Sequence, residues 1–559
     1  MRGAVALMSL LLAATAARGE AEPLRVSGAV AADASWAGHV RITGDTSIVG
    51  ATITVQPGTS IEFAAGTGEP HPRLTVGAPG QPGRLLLLGT AGQPIVVRSR
   101  EALHAGCLMV HVGSGDALDW HDVEFHDLGY RTAAKPDPSM PRSTDGYFQP
   151  AITIVLDGAK SGLNVKGCRF RGCARLTVRA AARARGELLQ CVFEPGPDAV
   201  SLELAGGGSG ALAVRSNQFS GVVEIQAVGA SFTDNRLVGP RTALAINAAS
   251  SPPVEVVGNY IHNTTEADDG GYCFRSRDPE ALVQGNVLRG GSYVVLEGTR
   301  RMRDNVLVGA ARLRSAVGRN ARTHYLVAEL PGRAEFQGNL LIGPAYALLA
   351  TQAARPARGG AAPEPVRDLT IRGNVFDGLG ATSQAIRFNV LAREPVAATV
   401  TDNLFLRVDT LVMDESRRPG VLATADRNTV ARARRVGRRG DERQAARRSR
   451  LRGGRPGVRR RGRPEAGQPA RRAAARLGCG ADLGPRHGGP GARSADGGVS
   501  RAVTLAIRRA VHFTTTEFHS ASPTAPQVGP PAQDRCRRPR RQPSRRSGIS
   551  TSCGELSFA

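Results

Sequence analysis

Lysine is almost missing from this chain: Lys135, Lys160 and Lys166 are the only three among 73 basic residues. Long apolar runs are missing too, with one exception at the start. There Arg2 precedes an apolar run from Ala4 to Ala14, followed by the small residues Ala14-Thr15-Ala16. That run is too short to cross a bilayer and stay, and it reads as a secretory signal peptide over residues 1–19. Cleavage is expected after Ala16 or a few residues later, and no cysteine stands there to take a lipid anchor. No other run reaches about 18 apolar residues, so no membrane span is expected. Eight cysteines are scattered, and the five before residue 431 make no metal-ligand spacing. Cys168 and Cys173 have no histidine partners nearby, which argues against a structural zinc. The 3.6-residue periodicity of amphipathic helices is also absent, while Val and Gly are frequent, which argues against a stack of helical repeats.

What is present is a phrase that returns. It reads Gly or Asp, then Asn, then any residue, then Leu, Ile or Phe. Copies stand at Gly285-Asn286-Val287-Leu288, Asp304-Asn305-Val306-Leu307, Gly338-Asn339-Leu340-Leu341, Gly373-Asn374-Val375-Phe376 and Asp402-Asn403-Leu404-Phe405. Upstream are Ser216-Asn217-Gln218-Phe219, Asp234-Asn235-Arg236-Leu237 and Gly258-Asn259-Tyr260-Ile261, and a degenerate copy closes the series at Arg427-Asn428-Thr429-Val430. From Asn217 the Asn-to-Asn spacings are 18, 24, 27, 19, 34, 35, 29 and 25. A period in this range signals a solenoid. Short runs such as Val254-Glu255-Val256-Val257 before Asn259 alternate at period two, as strands do. Asn tolerates the left-handed backbone region that a sharp bend needs. If coils stack at the strand spacing of about 4.8 Å, the Asn side chains stack as well and their amides can bond along the column. The Leu, Ile or Phe two residues on then points into the core.

This pattern resembles the right-handed parallel β-helix, the pectin-lyase-like fold, over roughly residues 40–430. The expected fold class is all-β: a right-handed parallel β-helix solenoid with an N-terminal β cap and a disordered Arg-rich C-terminal tail. Two earlier copies carry cysteine in the Asn place, Cys168 in Gly167-Cys168-Arg169-Phe170 and Cys191 in Gln190-Cys191-Val192-Phe193. Stacked one coil apart, their Cα atoms fall within disulfide range. Two buried thiols is the favoured reading, since Cys packs well as a small hydrophobe. Val123 holds the same place one copy earlier. The structural ladder is thus read as Cys168, Cys191, Asn217, Asn235, Asn259, Asn286, Asn305, Asn339, Asn374 and Asn403.

Residues 20–100 read as the cap and first strands, with Gln56-Pro57-Gly58-Thr59 before an apolar strand and Gly89-Thr90-Ala91 before Pro94-Ile95. They resemble the entry segment of secreted β-helix proteins, where an open end has to be covered. Residues 101–430 read as the β-helix. Three polar or Ala/Pro-rich excursions interrupt it, at 130–149, 311–331 and 352–365. At residue 431 the composition changes. Residues 431–559 hold 30 arginines against 8 acids, a net of +22, so most of the overall +25 belongs to them. Out-of-frame translation of a GC-rich gene gives this Arg, Gly, Pro and Ala composition. A disordered tail and a basic tail for an anionic polymer are the competing readings. No function is drawn from the arginine runs, and no nucleic-acid partner is expected.

Charge gathers once in the repeat region, from Tyr260-Ile261-His262-Asn263 to Arg277-Asp278. The segment resembles one in carbohydrate-active β-helix proteins, with "Asn-x-Ile-His", a loop, "Asp-x-Gly-x-Tyr" and then "Arg-Asp". The resemblance implies polysaccharide contact, with Glu266, Asp268, Asp269 and Asp278 as candidate catalytic acids. His262, Tyr272, Arg275 and Arg277 are the candidate substrate-binding residues. A glycosidase needs two carboxyls about 5–5.5 Å apart if retaining and about 6.5–9.5 Å apart if inverting. A lyase needs a base and neutralisation of a uronate, by arginine or by calcium held on Asp oxygens. No cofactor and no metal ligands are expected, apart from calcium in the lyase case. The competing reading is that these charges pair across coils on a solvated face. The functional expectation is an exported protein, secreted, periplasmic or at the cell surface, that binds polysaccharide, with cleavage as a lyase or glycoside hydrolase as its enzymatic form. The alternative is a non-enzymatic surface or adhesive solenoid.

Overall fold

The protein is described by a computed structural model. It covers residues 22–431 except 65–70, 101–105, 133–146, 266–270, 310–324, 332, 353–367, 390–396 and 415–423, and adds Arg438–Arg439. The expectations for residues 1–19, most of 431–559 and most of the three excursions lie outside these residues. The first excursion leaves and returns through an antiparallel pair, Arg131–Thr132 with Tyr147–Phe148.

The chain is a parallel β-helix. Every strand from Leu24–Val30 onward, apart from that antiparallel pair, belongs to one continuous sheet system. One coil shows the plan. Leu282–Gln284 forms the third face of one turn, Asn286 sits at the corner, Val287–Gly290 forms the first face and Tyr293–Leu296 the second. Arg301–Arg303 then pairs in parallel with Leu282–Gln284 and starts the next turn. The same three-way pairing continues to Thr424–Asp426 and Thr429–Ala431. A parallel pairing in register puts like residues above one another, so a repeat in sequence becomes a column in space.

The column of amides is continuous. From Asn217 to Asn403, the backbone N–H of each Asn donates to Oδ1 of the next Asn at 2.8–3.0 Å. Its Nδ2 donates to the same oxygen at 2.9–3.1 Å. The second Nδ2 hydrogen goes back to a main-chain carbonyl of the preceding coil, as from Asn286 to Val256 at 2.8 Å. Asn217 to Asn403 are each no more than 1% exposed. Burial of an amide normally carries a penalty, and here each one is offset by complete pairing.

The structure corrects the reason given for asparagine. No ladder Asn has positive φ; the residue before it does, at Ser216, Asp234, Gly258, Gly285, Asp304, Gly338, Gly373, Asp402 and Arg427. The bend therefore belongs to the Gly or Asp, and the Asn is selected by its amide. A Cβ on Gly258, at φ +70, would lie 2.6 Å from Asp234 Oδ1, whereas one on Gly373, at φ +64, meets nothing within 4 Å. Gly373→Ala should cost about 1–2 kcal/mol for the backbone alone, and Gly258→Ala more; thermal melts of the two variants check the order.

Cys168 and Cys191 occupy the Asn place with free, fully buried thiols. Each sulfur points to a carbonyl of the preceding coil, Cys168 to Trp120 at 3.8 Å and Cys191 to Val165 at 3.6 Å. That is the direction Nδ2 takes elsewhere. The contact with Cys191 and burial push the Cys168 thiol well up, and burial raises Cys173 and Cys273 to about 12. Only thiolates react readily. Alkylation of the native protein should leave Cys107, Cys168, Cys173, Cys191 and Cys273 unmodified in peptide maps, and alkylation after unfolding should label all five.

The residue two places beyond the ladder fills the core as expected. Phe170, Phe193 and Phe219 stack on Phe125 with centroids 4.5–5.0 Å apart. Leu237, Ile261, Leu288, Leu307 and Leu341 continue the column, each 0% exposed, and Phe376 and Phe405 end it. The ring spacing matches the strand spacing, so flat rings pile without a gap.

Candidate functional site

The charged segment read from sequence is divided by the fold. His262 lies on the first face beside Arg289 of the next coil, with its ring edge-on to Tyr260 at 6.2 Å. Tyr272 and Arg275 lie on the second face, in register with Tyr293 and Leu296. Glu266, Asp268 and Asp269 fall in 266–270, outside the described residues. Arg275 and Arg277 both donate to Glu297 Oε2, at 3.0 and 3.3 Å. Asp278 is 1% exposed. It accepts from Ser250 Oγ at 3.1 Å and from the Glu280 N–H at 3.0 Å, so its carboxylate fastens a turn instead of facing the surface.

Much of the outer charge is paired between coils. Glu62 sits between Arg41 and Arg98, at 3.2 and 3.1 Å. Glu280 pairs with Arg300, Glu335 with Arg303, Glu187 with Arg215 and Asp377 with Arg407. Arg427 and Arg372 close on Asp402, and the hydrogen bond from Arg427 holds that carboxyl below its ordinary range. Exposed pairs of this kind contribute little each, but in a stack they keep like charges from lying directly over one another.

One acid breaks the pattern. On the second face Glu203 and Glu224 are directly in register on neighbouring strands. Glu203 is tied down by three donors. Its Oε2 accepts from Arg175 Nη1 at 3.3 Å and Thr177 Oγ1 at 3.2 Å, and its Oε1 accepts from Gln226 Nε2 at 3.4 Å. Arg175, 5% exposed at its side chain, is fixed in turn by Asp198 at 2.7 Å. For Glu224, burial comes first and the Glu203 charge second in pushing its carboxyl up, and Arg175 opposes them only partly. Two like acids thus lie side by side, one hydrogen-bonded to an arginine and one raised by burial and by its neighbour's charge.

Sequence reasoning missed this pair. Its only local signal is that Leu202-Glu203-Leu204 and Val223-Glu224-Ile225 each place one acid between inward apolar residues.

The same face changes character further along. Tyr293 and Tyr325 stack at 6.4 Å with planes 11° apart, and Tyr346 meets Tyr325 edge-on at 6.2 Å. The Arg387 guanidinium lies 5.0 Å over Tyr346 and 5.8 Å over Tyr325, and donates to the Tyr325 hydroxyl at 2.8 Å. Among the described residues no group of three His, Cys, Asp or Glu is placed to hold a metal ion, and no helix is long and apolar enough to cross a membrane.

No family model matches the chain, and no curated protein matches it. Among solved structures it is similar to tailspike protein 3 of bacteriophage CBA120, at 9% identity and a TM-score of 0.26 over 75% of this chain. The chain spans 57% of that tailspike's length. It is also similar to a PL6 family polysaccharide lyase from Pseudopedobacter saltans, at 12% identity and a TM-score of 0.24. That match covers 77% of this chain and 98% of the lyase.

Proposed function

We propose that this β-helix is an exported protein that binds polysaccharide along its second face and hydrolyses it at Glu203 and Glu224. The observation that carries the reading is the registered pair of carboxyls, one hydrogen-bonded to an arginine and one raised by burial. In-register Cα atoms on neighbouring strands lie about 4.8 Å apart. That suits the short carboxyl separation of retaining hydrolysis and leaves no room for an intervening water. Glu224, the acid biased towards its neutral form, gives its proton to the glycosidic oxygen as that bond breaks. Glu203, fixed by hydrogen bonds from Arg175 and Thr177, attacks the anomeric carbon and forms a glycosyl ester. Water then displaces Glu203, passing its proton to the Glu224 carboxylate, and both groups return to their starting states.

A panel of neutral and acidic polysaccharides, assayed for new reducing ends, tests this. The expected result is cleavage of at least one by the wild type, unchanged by Asp269→Ala and lost in Glu224→Gln. Cleavage should fall as pH rises through the elevated Glu224 value, because the proton donor is then gone. The second reading, a non-enzymatic surface or adhesive solenoid, is favoured by the ion pairs between coils. It predicts no cleavage of any polymer and no dependence on Glu224.

A further inference from the structure

The tyrosine and arginine strip on the second face stands apart from the core. Three rings stand half-buried on the outside of a solenoid whose core is already filled by Leu, Ile and Phe. Their order is set by register. Tyr293 follows Tyr272 on the next strand, and the Tyr325 position pairs with Ala347, next to Tyr346. Between the rings and the carboxyl pair, the outward positions are Glu224, Ala245, Arg275, Leu296 and Ala328 on successive coils. Ala350, paired with Arg387, follows. Ala328 and Ala350 are 5% exposed. These short side chains share the row with Arg275 and Leu296, beside the tyrosines.

Charge marks the occupant. Arg275 lies 5.9 Å over the Tyr272 ring, and Arg387 lies over Tyr325 and Tyr346, so guanidinium on aromatic ring recurs at both ends of the strip. Arg275 and Arg277 share a single carboxylate, Glu297. A guanidinium is a planar fork that matches a carboxylate two-on-two, and a tyrosine face offers rigid amphipathic area to the apolar side of a sugar ring. From Glu224 to Arg387 is six coil steps of about 4.8 Å, or roughly 29 Å, which fits an extended oligosaccharide rather than a monosaccharide.

We infer that Tyr293, Tyr325, Tyr346 and Arg387 form binding subsites for an acidic polysaccharide, its uronate carboxylates received by Arg387 and Arg275. The inference rests on the second face being the polymer-binding face, as proposed above, but not on Glu203 and Glu224 being catalytic.

The test uses the full chain carrying Glu224→Gln, so that polymer stays intact, and titrates it with polygalacturonate and with carboxyl-reduced polygalacturonate by calorimetry. Binding of the acidic form is expected, weakening with added salt, with at least a tenfold loss on carboxyl reduction. Arg387→Gln and Tyr325→Ala should each weaken binding about tenfold or more. Arg387→Lys, which keeps the charge and loses the fork, should fall between. The thermal midpoint of each variant separates lost binding from lost folding, and where Tyr325→Ala melts early, Tyr293→Leu takes its place. Equal affinity for the reduced polymer, or unchanged affinity in folded Arg387→Gln and Tyr293→Leu, overturns the inference. If acidic polymer binds through Arg387 while the wild type cleaves nothing, this inference stands and the hydrolytic proposal falls.

Discussion

Asn286→Ala should lower the stability of the β-helix by about 2–6 kcal/mol, one of the largest effects of any single substitution in it. The figure follows from counting donors. Asn286 Oδ1 accepts both the Asn259 N–H and Asn259 Nδ2, so the alanine strands two buried donors at about 1–3 kcal/mol each. Its own Nδ2 bonds to Asn305 and Val256 are lost as well. Water cannot easily replace them, because Asn286 is 0% exposed. Asn428 provides the internal control. It takes the same two bonds from Asn403 but is half-buried, so solvent reaches the donors it would leave behind. Asn428→Ala should therefore fall at or below the lower end of that range. Asn286→Asp should be harmful too, since a carboxylate keeps the acceptor, loses both donors and buries a charge. Urea midpoints of the three variants measure this. The paired variant Asn286→Ala with Asn305→Ala should lose less than the sum of its parts, because the two residues share bonds.

Glu224→Gln should abolish cleavage, with a fall of about 10²–10⁴-fold if the residue is the general acid. Glutamine keeps the shape and hydrogen-bonding capacity but cannot give a proton. Glu203→Gln should be at least as damaging, since an amide does not form the glycosyl ester. The two variants separate in stability. Glu224's carboxyl is raised in the folded chain, so its contribution is fully present below the unfolded value and is lost as pH rises through the folded one. Glu224→Gln removes that loss and should melt slightly higher than the wild type at neutral pH. Glu203→Gln should melt lower, because Arg175 keeps its charge and loses one of its two acids. A catalytic role is contradicted if the wild type cleaves and folded Glu224→Gln keeps pace with it.

The solenoid was legible in the sequence because its stabilising group is local and repeated. Each Asn can be read from its own phrase, and the Phe or Leu two places on follows by strand alternation. The cause of the bend was assigned to the wrong residue of the phrase. Asn and its predecessor always stand side by side in the phrase, and only φ distinguishes the residue that bends from the residue that bonds. The site was much less legible. Sequence proximity gathers His262, Tyr272, Arg275, Arg277 and Asp278, but two residues ten apart in a coil can face different sides of the prism. Glu203 and Glu224 are 21 residues apart and become neighbours only through register, which depends on loop lengths that no local pattern encodes. Tyr325 and Arg387, separated by 62 positions, meet for the same reason.

The central claim is the unbroken file of amides, and an electron-density map of the full chain that resolves side chains tests it most directly. The account predicts that Asn217, Asn235, Asn259, Asn286, Asn305, Asn339, Asn374, Asn403 and Asn428 stand one above another with side-chain amides about 3 Å from their neighbours. Amides turned outward to solvent, or a file broken between any two of these coils, would contradict it.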